Sequence, residues 1–312
     1  MRQSLPDSSD VVQVQGLVKS FGATRALDGL NLSVRAGEVH GFLGPNGAGK
    51  TTAIRALLGQ LRADAGSVQL FGLHPVRDVV DVHRRLAYVP GDTVLWPGLT
   101  GGECIDLIGR FRGNQDVSMR DQLVERFELD PSKRTRTYSK GNRQKVALIA
   151  ALSARAELLL LDEPTSGLDP LMESVFQQVV RELNAEGTSV LLSSHIMSEV
   201  EELSDRVTII RAGRCVSTGS LDDLRARLEV SVESVTREPI SGLDAFLSAS
   251  AIAISGGPGQ VHTHLTVSPA VMPAVVELVA AQKPRSLVVR PPTLDELFLE
   301  HYHDAPESSG PR

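Results

Sequence analysis

The sequence predicts an α/β protein built on a parallel sheet, followed by a smaller α+β domain, and three observations predict it. Short runs that are apolar along almost their whole length, "ELLLLDEP" and "TSVLLSSH", alternate with longer helical segments such as "LMESVFQQVVRELNAEG". Such a strand must be covered on both faces, and helices on either side of a parallel sheet provide that cover. A glycine-rich stretch, "GPNGAGKTT", joins one of these strands to a helix. Near Leu221–Leu228 the pattern changes, and shorter strands and helices follow.

Taken in order, residues 1–10 are polar, lack the apolar centre of a signal peptide and read as a disordered tail. The first domain spans 11–225. It begins with the strand "VVQVQGL", a turn at Phe21-Gly22 and the strand "LDGLNLSV". A glycine turn at Gly37 leads to the strand "EVHGFLG", then the glycine-rich loop and the helix "KTTAIRALLGQL". Residues 100–150 read as mostly helical. Strand "ELLLLDEP", helix, strand "TSVLLSSH", helix "IMSEVEELSD" and strand "RVTIIRAG" complete the domain. Residues 226–302 read as βαββαβ: "EVSVESV", helix "LDAFLSAS", a hairpin across "GGPG", helix "PAVMPAVVELVAAQ", strand "SLVVR" and helix "TLDELFLEHY". That order predicts a small ferredoxin-like domain. Residues 303–312 read as a second disordered tail.

Composition narrows the class. The 312 residues are 41% hydrophobic, enough for one large core and a small one. A net charge of −6 with a pI near 5.8 argues against a nucleic-acid binder, which usually has a basic domain. The two cysteines, Cys104 and Cys215, match no metal-ligand spacing and read as reduced thiols. No run reaches the roughly 18 apolar residues of a membrane span. The expectation is a soluble chain that borrows any membrane role from a partner.

The chemistry sits in four motifs. Gly44, Pro45, Asn46, Gly47, Ala48, Gly49, Lys50, Thr51 and Thr52 fit G-x-x-x-x-G-K-[ST] between a strand and a helix. Its backbone N–H groups curl around phosphates, Lys50 reaches the β/γ oxygens, and the Thr51 hydroxyl ligates Mg²⁺. "LLLLDEPTSGLDP", Leu158–Pro170, ends a buried strand in two carboxylates. Beside a phosphate loop, Asp162 is placed to hold Mg²⁺ and Glu163 to act as general base on water. His195 ends the strand "TSVLLSSH", where it can contact a γ-phosphate or simply bond structurally. The stretch "TYSKGNRQKVALIAAL" opens on a helix cap at Ser139 and Gly141, with Lys140, Arg143 and Lys145 adding positive charge. A helix N-terminus suits an anion.

In this order, with "SKGNRQ" 23 residues before Asp162, these motifs resemble the ATP-binding-cassette (ABC) ATPases over roughly residues 11–225. The resemblance implies a P-loop fold with a parallel-sheet core, an antiparallel β subdomain and a helical subdomain. It implies ATP and Mg²⁺ as ligands, and two cassettes paired head to tail around two nucleotides. Tyr138, Ser139, Lys140, Gly141 and Asn142 occupy the Leu-Ser-Gly-Gly-Gln signature that faces the partner's γ-phosphate. Ser166, Gly167, Leu168 and Asp169 match the D-loop crossing that interface, and Phe21 matches the aromatic position that stacks on adenine. The "SKG-x-x-Q" variant and "PTLDELFLEHY" resemble the ATPases of ABC-2-type exporters of drugs, antibiotics and polysaccharides. That implies a separate membrane-spanning permease, a place on the cytoplasmic face of the membrane, and contact with the permease through Leu95–Glu103.

In the signature Ser139 and Gly141 match while Lys140 and Asn142 depart from the common form, and one further departure matters more. Within "LAYVPGDTVLWPGLTGGE" the family usually has a Gln that touches Mg²⁺; here Gly91 stands there, with Asp92 next. That contact is either absent or taken over by Asp92. Two other readings compete with the exporter. A soluble ABC ATPase acting on ribosomes or nucleic acid usually has two cassettes, a basic arm or a coiled-coil insertion. A P-loop kinase or GTPase leaves the signature helix unexplained and lacks a base-reading N/TKxD motif.

Overall fold

The computed structural model of the chain describes residues 10–113, 115–226, 229–243, 252–257 and 259–290. The chain divides into two compact units at Gly219–Ser220. In the first, β1 (Asp10–Phe21) and β2 (Thr24–Arg35) form an antiparallel hairpin. β3 (Val39–Leu43) then runs into the glycine-rich loop and α1 (Lys50–Leu57). The chain next forms β4 (Ala65–Leu70), α2 (Val79–Arg85) and β5 (Leu86–Val89), and then a helical layer of α3 (Gly101–Arg112), α4 (Val117–Arg126) and α5 (Lys140–Leu152). β6 (Leu158–Asp162), α6 (Pro170–Ala185), β7 (Ser189–Ser194), α7 (Met197–Leu203), β8 (Arg206–Arg211) and β9 (Arg214–Ser220) follow.

Two sheets result. β2-β1-β4 is antiparallel, while the core sheet has the order β5-β6-β7-β3-β8-β9. β5, β6, β7, β3 and β8 are parallel to one another. The all-apolar strands behave as their composition requires. Leu158 and Leu160 of β6 enter the core shared with α1 and the antiparallel sheet, while Leu159 and Leu161 enter the core beneath α3, α5 and α6. α5 is buried at every position from Gln144 to Leu152, as expected of a helix with apolar residues on all sides.

β4, α2, β5 and β9 go beyond the sequence reading. Each is too short or too exposed on one side to show a clear period, and β4 buries only Val68 and Leu70. The helix expected to run to "GQL" stops earlier, at Leu57. Gly59 has φ +70°, and a Cβ there would lie 2.5 Å from the Pro75 carbonyl oxygen.

In the second unit, α8 (Leu221–Arg225) precedes β10 (Val230–Thr236), the hairpin of β11 (Ile252–Gly257) and β12 (Gln260–Val267), α9 (Met272–Ala281) and β13 (Ser286–Arg290). Its antiparallel sheet has the order β11-β12-β10-β13, with its first and third strands at the centre. Val232, Leu265, Val275 and Val279 form its core. The expected helix "LDAFLSAS", save its first residue, and the whole of "PTLDELFLEHY" lie outside the described residues, as do both expected tails apart from Asp10.

Candidate active site

Parallel strands end on the same side of their sheet, so the loops that follow neighbouring strands meet there. The register pairs Asp162 of β6 with Ser193 of β7, and Leu43 of β3 with Ser194. The phosphate loop after β3, the Asp162–Glu163 pair at the end of β6 and His195 after β7 are thereby brought to one edge. Three of the four sequence motifs converge there.

The loop from Gly44 to Gly49 wraps around the Lys50 side chain. The Lys50 ammonium, almost wholly buried, donates to the carbonyl oxygens of Gly44 at 2.6 Å and Pro45 at 3.2 Å. Burial lowers its pKa, with the Glu163 and Asp162 carboxylates acting in the opposite sense. Gly49 enters α1 at φ +109°, where a Cβ would lie 2.6 Å from the Ala26 carbonyl oxygen, so only glycine fits. Thr51 and Thr52 follow in the first turn of α1, whose cap residue Gly49 offers no side chain to its N–H groups.

Asp162 is buried and accepts the Ser193 hydroxyl at 2.8 Å, with the Thr51 hydroxyl as a second donor. Burial raises its carboxyl pKa, which those two hydroxyls partly offset. Glu163 follows with φ 48°, a conformation rare for a residue with a side chain and concentrated at functional sites. Its Oε1 lies 3.7 Å from Lys50 Nζ and 3.2 Å from His195 Nδ1. One buried carboxylate beside a threonine hydroxyl suits Mg²⁺, which is usually held by one or two carboxylates together with substrate phosphates. Among the described residues no cluster of three or more His, Cys, Asp or Glu forms an all-protein metal site.

The Ser139 hydroxyl caps α5 by accepting the Asn142 N–H at 3.2 Å. The basic side chains there are engaged within the chain. Lys140 Nζ donates to the Ser166 hydroxyl at 2.6 Å, Arg143 donates to the Tyr138 carbonyl at 2.8 Å, and Lys145 is buried. Gly141 packs directly on the segment Ser166–Asp169, where a Cβ would lie 2.4 Å from the Gly167 carbonyl oxygen. Leu168 is partly buried against the core, and Asp169 caps α6 by accepting the Met172 N–H. Phe21 is half exposed at the end of β1, with Lys19 Nζ 5.6 Å from its ring centroid.

The departed loop lies close to the strand ends. A Cβ at Gly91 would sit 3.1 Å from the Asp162 carbonyl oxygen and 3.6 Å from Glu163 Cβ. Asp92 is exposed instead, lining a shallow cavity with Thr135, Arg136 and Arg143. Residues that motif reading passed over support the site. Ser193 holds Asp162, while the Thr165 and Ser194 hydroxyls both donate to the buried Glu199 carboxylate, Ser194 at 2.7 Å. Gln144 joins three segments, and its only signal in sequence is its place in "SKGNRQ".

Strand ends that gather a phosphate loop, a buried aspartate and a glutamate in contact with lysine and histidine define an ATPase of the P-loop class. The family model described as ABC transporter matches residues 27–166. A daunorubicin resistance ATP-binding protein of Streptomyces coeruleorubidus is 36% identical over 298 residues, 92% of this chain and 94% of that protein. A linearmycin resistance ATP-binding protein of Bacillus subtilis (strain 168) is 30% identical over 304 residues, 93% of this chain and 97% of the relative. A solved ATP-binding subunit of an ABC transporter matches with TM-score 0.65 at 30% identity, covering 70% of this chain and 92% of that one. The chain belongs to the ABC transporter family, as an ATP-binding cassette ATPase.

Proposed function

We propose that this chain is the ATP-hydrolysing subunit of a drug or antibiotic exporter, acting on a separate membrane-spanning permease from the cytoplasmic face of the membrane. The observation that carries the reading is Glu163 Oε1, in contact with both Lys50 and His195 at the aligned ends of β3, β6 and β7. The resistance functions in the names of relatives matched over nine-tenths of the chain support the cargo class. No helix among the described residues is long and apolar enough to cross a membrane.

In this reading Lys50 leaves Glu163 for the β/γ oxygens of ATP, and Thr51 and Asp162 orient the metal. Mg²⁺, when bound, neutralises charge on those oxygens. Glu163 takes the proton of the attacking water and His195 contacts the γ-phosphate, while Phe21 stacks on adenine. A second copy pairs head to tail. Its Ser139, Lys140, Gly141 and Asn142 face the γ-phosphate, and Ser166–Asp169 cross the interface. Closure of the pair moves the permease through Leu95–Glu103. The packing of Gly141 on Gly167 supports joint movement of the signature and the D-loop.

Glu163→Gln keeps the side chain's shape and removes the base. ATP hydrolysis is expected to fall about 10²–10⁴-fold while ATP affinity holds. Near-normal turnover in a phosphate-release assay would remove Glu163 from this role.

A further inference from the structure

Gln144 sits in the second turn of α5, 1% exposed. Its amide nitrogen donates to the Pro164 carbonyl oxygen at 3.0 Å and to the Pro90 carbonyl oxygen at 3.4 Å. Its amide oxygen accepts the Thr93 hydroxyl at 2.7 Å, and Thr93 is itself buried. One side chain therefore joins three segments. α5 carries the signature at its first turn, Pro164 follows Glu163 directly, and Pro90 and Thr93 bracket Gly91 and Asp92.

Beyond Thr93 the burial changes abruptly. Val94 is 85% exposed and Trp96 is 47% exposed, while the Trp96 carbonyl accepts the Thr135 hydroxyl at 2.6 Å and Leu95 packs against the core. Gly91 approaches Asp162 closely but has no side chain to bond with. If the Glu163 turn or α5 shifts, the amide of Gln144 must either lose a buried partner or take the 90–93 segment with it. Leaving a buried amide unpaired is the costlier outcome, because no water replaces the lost bond. Movement at the nucleotide site should thus appear in the exposed loop.

We propose that Gln144 is a positioning residue that transmits the state of the nucleotide site to the Trp96 loop through Thr93, a link that Gly91 has no side chain to make. The inference rests on the reading of the strand-end site as an ATP site.

The chain contains a single tryptophan, Trp96, so its own fluorescence reports on this loop. The test uses the full chain with Glu163→Gln, so that bound ATP persists, and equilibrium dialysis with labelled ATP and Mg²⁺ measures binding separately. ATP is expected to change Trp96 emission along the same saturation curve as binding. Adding Thr93→Val, which removes one hydroxyl at nearly constant shape and leaves only the longer bond to the Pro90 carbonyl, is expected to shrink that change while ATP affinity stays at the parent value. Thr93→Ser, which keeps the hydroxyl, is expected to retain it. A full ATP-dependent change in Thr93→Val overturns the inference, and so does binding with silent Trp96 in the parent. A simultaneous loss of ATP affinity in Thr93→Val also overturns it, because the bond would then merely hold the site together. Absence of ATP binding in the parent overturns the site reading and this inference together.

Discussion

The parallel sheet of the first unit and the antiparallel sheet of the second treat polar side chains in opposite ways. β3, β6 and β7 are buried at every position, and apart from His40 in β3 and Ser189 at the start of β7 their polar side chains gather at the strand ends, in Asp162, Ser193 and Ser194, with Glu163 and His195 just beyond. In β12 burial alternates. Val261, Thr263 and Leu265 face inward, while Gln260, His262 and His264 face outward. Titratable groups there are spread over an open face, His264 bonding the Ser231 hydroxyl at 3.1 Å. The difference comes from direction. Parallel strands deliver successive loops to one edge, whereas antiparallel strands send them to both.

The strongest test of that contrast is Lys50→Ala. It removes a cation and two of the loop's internal bonds at the converging edge. Loss of hydrogen bonds from a charged donor predicts an ATP affinity about 10–100-fold weaker by equilibrium dialysis. Unchanged affinity would move nucleotide binding away from this edge.

Asp162→Asn probes the burial that concentrates charge there. Because burial raises the Asp162 pKa, the folded chain holds this proton more tightly than the unfolded chain. Its favourable contribution is therefore present at acid pH and is lost as pH rises through the folded-state pKa. The nucleotide-free variant is expected to have a higher Tm than the parent at neutral pH, the gap closing as pH falls, in thermal unfolding followed by circular dichroism. The same variant is expected to lose Mg²⁺-dependent ATP binding. A lower Tm at neutral pH would mean that the bonds from Ser193 and Thr51 to the carboxylate outweigh its burial.

Asp92→Ala tests the edge of the same site with a smaller expected effect. Asp92 is exposed and faces the cavity lined by Arg136 and Arg143. The Mg²⁺ dependence of ATPase activity is expected to match the parent's, and a weaker dependence would identify Asp92 as the replacement for the missing glutamine. The smallest effect belongs to the second sheet. His264→Ala is expected to leave ATPase activity unchanged and stability within about 0.5 kcal/mol in urea unfolding, as for exposed sites. A change in turnover would show that the second unit reaches the chemistry.

Much of the site was legible because its parts are local. The phosphate loop, the Asp162–Glu163 pair and the cap at Ser139 each lie within a few consecutive residues whose types follow from their chemistry. The strands that position them announce themselves by apolar runs buried on both sides. β4 and β5 did not, since four to six residues with partial exposure carry too little periodicity to separate them from loop. The direction of the basic side chains was not legible either. Lys140 and Arg143 promised charge for an incoming anion, yet each also bonds within its own chain, to Ser166 and Tyr138.

The sequence by itself determined the ATPase chemistry and the elements on which it stands, because backbone nests, caps and strand-end carboxylates are properties of short stretches. Only the tertiary structure decided which side chains meet. Glu163 touches Lys50 from another strand's loop, and Gln144 bonds a threonine 51 residues away and a carbonyl 20 residues away. Such bonds leave no local pattern. A buried amide satisfies itself with whatever polar group the packing brings within reach, and that is set by the whole sheet and its helices.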